Sequence, residues 1–430
     1  MLTYPINSNN KNNNLNLSKM KKTFLKAILG LSLIATTTAV VVSCDRSDDT
    51  ETIIIDNSGI DANNFKGDIT GNVTLDASKT YTITGKLAVK SGASLTIPAG
   101  TKFKAIAGEL DPATGAAKNV SYLIVERGAK IFMNGTAANP IVFEGTEHKQ
   151  GHWGGIVILG NAPSNRSASG TSTSELGDLV YGGTDKVDNA GASVIQYVVI
   201  KDSGFKYSPT KEFNGLSLFG VGSATKVSYV FVTDGADDGV EMFGGNVNLD
   251  HIIVTGVGDD SFDWTESWSG NVEYLYAARK KQYENALEPG NRGIEGDTQD
   301  TDANTTNGAN GGISNPSVKH ATFIGNKKDP ESQALKIRAG SHGKFDNIVL
   351  ANFKTGLDFE TPRTLTWFQS GSHITNVRFL NIDTLHKGIS DANYTVNTAA
   401  TGAGAGTALP DWAKGWTGLT SFDMADAGTL

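Results

Sequence analysis

"VSYVFVTDGADDGVE", Val227 to Glu241, and "LDHIIVTGVGDDSFD", Leu249 to Asp263, are two copies of one pattern set 22 residues apart. Val232 falls on Val254, Asp237 on Asp259, Asp238 on Asp260 and Glu241 on Asp263. Each copy is a β-branched strand, a small acidic turn, and a second short strand of alternating apolar and polar residues. Such a unit has no way to bury its apolar positions alone, so a period in the twenties calls for stacking of successive coils into a solenoid.

The strand recurs as "IQYVVIKD" from Ile195, "VEYLYAAR" from Val272, "VKHATFIG" from Val318, "FDNIVLAN" from Phe345 and "ITNVRFLN" from Ile374. The following units are "NGLSL" at Asn214, "DGVEM" at Asp238, "DSFDW" at Asp260, "RGIEG" at Arg292, "QALKI" at Gln333, "TGLDF" at Thr355 and "KGISD" at Lys387. Looser coils begin at Gly85, Tyr122 and Trp153. The 50 Gly, the 38% apolar content and the lack of long helical periodicity after the first 45 residues agree. The expected fold is all-β, a right-handed parallel β-helix of about ten coils, which lengthens by adding coils rather than by splitting into domains.

Equivalent residues of neighbouring coils should lie about 4.8 Å apart, the spacing of paired strands. Repeated side chains therefore become columns. One column reads Asn214, Asp238, Asp260, Arg292, Gln333, Thr355, Lys387; a second reads Ser217, Glu241, Asp263, Glu295, Lys336, Asp358, Ser390. The second lies between apolar neighbours, so alternation points it outward.

Asp237 and Asp259 join these columns, and Asp234 brings the carboxylates within three coils to eight. Two like charges at about 5 Å repel by about 0.8 kcal/mol in water, and roughly four times that in a surface groove. Three readings of the acidic stack stand side by side. A hard cation such as Ca²⁺ takes six to eight oxygen ligands and is offered Asp237, Asp238, Glu241, Asp259, Asp260, Asp263 and Glu295. Arg292, Lys336 and Arg338 offer ion pairs instead. The Asp pairs also suit turn capping through backbone N–H groups.

Trp264 shares a column with Met242, Ile337 and Phe359 and is expected in the core. Trp268, Trp153 and Trp367 are the candidate platforms for a sugar ring. His342, before Gly343, reads as a loop histidine. The seven His show no paired metal spacing, and a net charge of −8 without a basic stripe argues against nucleic acid as partner.

The amino terminus carries a different message. From Met20 the chain reads "MKKTFLKAILGLSLIATTTAVVVSC", three lysines before an apolar run ending at Cys44, the only cysteine. This resembles a bacterial lipoprotein signal with its lipobox, which implies cleavage before Cys44, lipidation there, and a start at Met20. The acidic "DRSDDTE" after Cys44 resembles the surface-export signal of lipoproteins of the Bacteroidota type. Together they imply a lipid anchor in the outer membrane, display at the cell surface, and an outer-membrane protein as a neighbour. The expected organisation is a signal peptide over 1–43, a tether over 44–66, a β-helix over 67–395 with a loop insertion around 279–315, and a linker and cap over 396–430.

"TDGADDG", "GDDSFDW" and "LKIRAGSHG" together resemble the pectate lyase/polygalacturonase superfamily. That resemblance implies a polysaccharide ligand and two enzymatic alternatives to a binding or structural module. One is a Ca²⁺-dependent lyase with Lys336, Arg338 or Arg292 as base; the other is a glycoside hydrolase using Asp238 and Asp260, whose inverting form needs carboxyls ~6.5–9.5 Å apart.

Overall fold

The computed structural model describes residues 60–174, 176, 179–285, 292–299, 312–329 and 331–428. The chain divides into two compact units, Met1–Glu51 and Thr52–Leu430, and every described residue belongs to the second. The lipobox, Cys44 and most of the tether lie outside the described residues.

Twenty-four strands join into one continuous parallel system, the parallel β-helix. Coil after coil, the register is the one the sequence repeat dictates: Val232 lies opposite Val254, and Glu241 opposite Asp263. Three sheets run along the axis. In the first coils two of them use separate strands, Lys130–Asn134 and Ile141–Gly145, and both pair with the single strand Val194–Lys201.

From there on the two sheets share one strand per coil, bent at a residue in the left-handed region. The bend is Tyr197 (φ 49°), Tyr229 (53°), His251 (56°), Tyr274 (59°), His320 (57°), Asn347 (52°) and Asn376 (54°). Side chains with a Cβ resist this conformation by roughly 1–2 kcal/mol. Stacking offsets the cost, because the five rings form a ladder with centroids 4.3, 4.4, 4.6 and 4.9 Å apart. Asn347 extends it with a contact of 2.9 Å to His320 Nδ1.

A second corner, after strands such as Lys226–Thr233, is made by Asp202, Asp234, Gly256, Asn352 and Asn381, all left-handed. It leads into the third sheet, whose strands include Leu216–Phe219, Val240–Phe243, Phe262–Thr265, Arg292–Gly296, Gln333–Ile337, Thr355–Phe359 and Thr384–Lys387. Inward residues of all three sheets form one core, with Val240, Met242, Phe262 and Trp264 fully buried. Trp264 lies opposite Met242, as its place in the column requires.

Two expectations need correction. In the last coil Thr384, not Lys387, lies opposite Thr355, and Lys387 rather than Ser390 meets Asp358. The segment after 396 does not cap that coil, where Leu385 and Val396 stay exposed. It runs back along the outer face of the second sheet. There Leu409, Trp416 and Phe422 bury Val199, Phe231, Ile253 and Tyr276, and the Tyr276 hydroxyl donates to Thr407 O at 2.9 Å. That face is apolar on both sides, so it has to be covered.

Candidate functional site

The outer face of the third sheet carries the acidic columns. Pleating turns Val240, Met242, Phe262 and Trp264 inward, which forces Glu241 and Asp263 outward between them. Asp237, Asp238, Asp259 and Asp260 come from the turns that lead into the same strands. The seven carboxylates anticipated as metal ligands form one linked cluster. Asp237, Asp238 and Asp259 offer oxygens within 4.8 Å of one another; so do Asp238, Glu241 and Asp263, and so do Asp260, Asp263 and Glu295. Asp238 and Asp263 each belong to two triads and link them along the axis.

Asp238 and Asp260 are buried, at 7% and 2% exposure. Burial, and then neighbouring carboxylates, push Asp238, Asp260 and Asp263 well above the ordinary carboxylate range; Asp259 is raised by burial too. Turn capping coexists with clustering, since Asp238 Oδ1 accepts the Asp260 backbone N–H at 2.8 Å. Asp260 Oδ1, by contrast, is buried with no hydrogen-bond partner among the described residues.

Cations compensate the cluster from one side. Arg292 Nη1 lies 3.4 Å from both Asp260 Oδ2 and Glu295 Oε1, and Arg338 Nε lies 3.2 Å from Glu295 Oε1. Burial works against the charge of Arg292, but Asp260, Glu295 and Asp259 outweigh it and hold its pKa above the usual value. Arg279 is buried behind the turns, donating to Val257 O at 3.1 Å and to Arg292 O, and its desolvation brings it down to about 10. Seven carboxylates thus face three guanidinium groups. On the other flank Asn214 Nδ2 donates to Glu241 Oε2 at 2.5 Å.

Lys336 sits one coil beyond Glu295, 3.7 Å from Asp358 and in contact with Glu360. The three candidate bases, Arg292, Arg338 and Lys336, are therefore all held by carboxylates.

The aromatic expectations fare differently. Trp153 and Trp268 are fully buried core residues, their indole N–H groups donating to Lys201 O at 2.7 Å and Val247 O at 3.2 Å. Trp367 has both faces occupied, by His342 at 4.1 Å and His373 at 4.0 Å between ring centroids. None of the three is open for a sugar to stack on. Asp234, counted with the acidic stack, instead turns to the opposite side of its turn, where Lys280 and Tyr283 hold it at 2.8 and 2.9 Å.

Sequence reading passed over Arg279. The available signal was a charged residue at a corner where the neighbouring coils have Gly256 and Gly325. Glu266 and Ser267 also went unnoticed, although they end a site strand in the left-handed region, at φ 57° and 69°, where the preceding coil has Gly244 and Gly245. The Glu266 carboxylate secures the strained turn by accepting from Ser164 Oγ and Arg166 Nε, both at 2.7 Å, and from the Tyr181 hydroxyl. This ties Ser164, Arg166 and Tyr181 to the edge of the acidic face. Among the described residues, no helix is long and apolar enough to cross a membrane.

Residues 67–417 match the pectate-lyase-like beta helix domain, and the chain belongs to that family. No curated protein is close enough in sequence to count as a relative. Among solved structures, the Dettilon tailspike protein is 11% identical with a TM-score of 0.32, the match covering 77% of this chain and 59% of the tailspike. The surface protein and adhesin PfbA of Streptococcus pneumoniae is 10% identical with a TM-score of 0.29, the match covering 76% of this chain and 92% of the adhesin.

Proposed function

We propose that the protein is a surface-displayed binding module whose acidic face holds a hard divalent cation, Ca²⁺, and through it an extended acidic glycan. The observation that carries this reading is Asp260 Oδ1, a buried carboxylate oxygen with no hydrogen-bond partner among the described residues, inside a linked set of seven carboxylates. An unpartnered buried oxygen is costly, and an all-oxygen donor set of adaptable geometry suits Ca²⁺ better than Mg²⁺ or Zn²⁺. A glycan bearing carboxylates can share the ion and meet Arg338, which is 39% exposed at its side chain. Display at the surface rests on the lipobox at Cys44 and the acidic segment behind it.

A binding role fits better than a lyase, because each candidate base is already engaged by carboxylates of this chain rather than open to a substrate proton. The raised proton affinity of Asp238 and Asp260 supports hydrolysis as the second reading, since a general acid has to be protonated near neutral pH. Retention of the protein on immobilised polygalacturonate, with Ca²⁺ and with EDTA, tests the first reading. Ca²⁺-dependent retention with intact polymer is expected; release of reducing ends would transfer the case to hydrolysis, and retention unaffected by EDTA would end the metal-bridged account.

A further inference from the structure

Away from the acidic face, a polar cavity of about 380 Å³ opens at the corner between the second and third sheets. Its floor is Phe231, its walls are Asp202 and Asp234 on one side and Lys280, Gln282 and Tyr283 on the other, and the returning tail closes it with Thr417, Gly418 and Leu419. Asp234 organises the wall, drawing the Lys280 ammonium, the Tyr283 hydroxyl and, at 3.4 Å, the Gln282 amide toward one carboxylate.

Every charge that lines the cavity is already matched. Lys201 lies 3.2 Å from Glu144, Lys280 2.8 Å from Asp234, and His148 Nδ1 3.1 Å from Asp202, whose carboxylate is 2% exposed and also accepts Gly145 N–H at 3.1 Å. An anionic ligand meets two carboxylates, Asp202 and Asp234, a cationic one meets two lysines, and either has to break a pair that was costly to desolvate. Neutral hydrogen-bonding capacity remains in the Gln282 amide oxygen, the Tyr283 hydroxyl oxygen and the second imidazole nitrogen of His148. Leu419 and the edge of Phe231, itself 2% exposed, add a small apolar surface. Convergent neutral polar groups over a small apolar floor suit a ligand that is hydroxylated at its rim and apolar on its face.

We infer that this cavity binds an uncharged sugar residue, independently of the acidic face and of any metal. The inference goes beyond the proposed function and does not depend on it. The test is calorimetry on the folded chain in EDTA with cellotetraose, xylotetraose, mannotetraose and maltotetraose, and with tetragalacturonate as competitor. At least one neutral probe is expected to bind, with affinity reduced tenfold or more in Gln282→Ala and several-fold in Tyr283→Phe, and without displacement by tetragalacturonate. Circular dichroism keeps a folding defect from passing as lost binding. Absence of binding by all four probes, binding that both substitutions leave unchanged, or displacement by tetragalacturonate overturns the inference.

Discussion

Asp238 and Asp260 occupy the same place in adjacent coils, and the carboxylate of the first accepts the backbone N–H of the second at 2.8 Å. One contact is thus both the cap of a turn and the backbone of an acidic stack. It consumes Asp238 Oδ1 and leaves Asp260 Oδ1, the end of the relay, without a hydrogen-bond partner among the described residues.

Charge and capping can be separated by substitution. Asp238→Asn keeps an oxygen for the Asp260 N–H while removing a buried charge among like charges. Its metal-free stability is expected to rise by roughly 1 kcal/mol. Asp238→Ala orphans the N–H and should lose about 1–3 kcal/mol. Urea unfolding in EDTA measures both, and equal effects would contradict this division of roles.

Proton linkage of the acidic face has a definite sign. Burial and like charges raise Asp238, Asp259, Asp260 and Asp263, so the folded state holds protons that the unfolded state releases. Their contribution is fully present below the unfolded value near 4 and is lost as pH rises through the folded values. Metal-free stability attributable to them, read as parent minus the Asp238→Asn/Asp260→Asn variant, should fall as pH rises above about 4. Apparent Ca²⁺ affinity should weaken on acidification over the same range, because protons compete for the ligands.

The His342–Trp367–His373 stack has the opposite sign. Burial brings His342 down to about 4, and His373 is lowered as well. The unfolded chain takes up these protons first, so stability is lost as pH falls from about 6.5 toward 4. His342→Gln should flatten that part of the profile. Trp367→Ala should cost about 3 kcal/mol of stability while leaving glycan retention unchanged; loss of retention in a folded Trp367→Ala protein would restore that ring as a platform.

Glu266 and Ser267 make a further test. Glu266→Ala removes the acceptor of Ser164, Arg166 and the Tyr181 hydroxyl, and should cost about 3–5 kcal/mol because buried donors lose their partner. Chemical denaturation measures it, and a loss under 1 kcal/mol would show that the turn needs no such anchor.

The coil, its register and the seven clustered carboxylates were legible because a solenoid turns sequence offset into spatial adjacency. Strand alternation then separates Glu241 from Val240 and Met242. Legibility ended where those rules do. "KGISD" slipped by three residues because the last coil has no successor to fix its register. Trp153, Trp268 and Trp367 were misplaced because they lie between the strands of the coils, the first two in turns and the third in the short helix Pro362–Gln369, where side-chain direction does not follow strand alternation. Asp234 and Asp238 share one turn but face opposite sides of it, which depends on the left-handed φ of 58° at Asp234. Arg279 stayed hidden because its hydrogen-bond partners are backbone carbonyls, Val257 O and Arg292 O, which leave no mark on the side-chain pattern.

The most direct measurement is calorimetric titration of Ca²⁺ into the chain starting at Asp45, comparing parent with Asp238→Asn/Asp260→Asn and following thermal unfolding in parallel. The account predicts Ca²⁺ binding with a raised melting temperature in the parent, and loss of both in a variant that remains folded. Absence of Ca²⁺ binding in the folded parent would contradict it and leave the acidic columns as turn caps balanced by Arg279, Arg292 and Arg338.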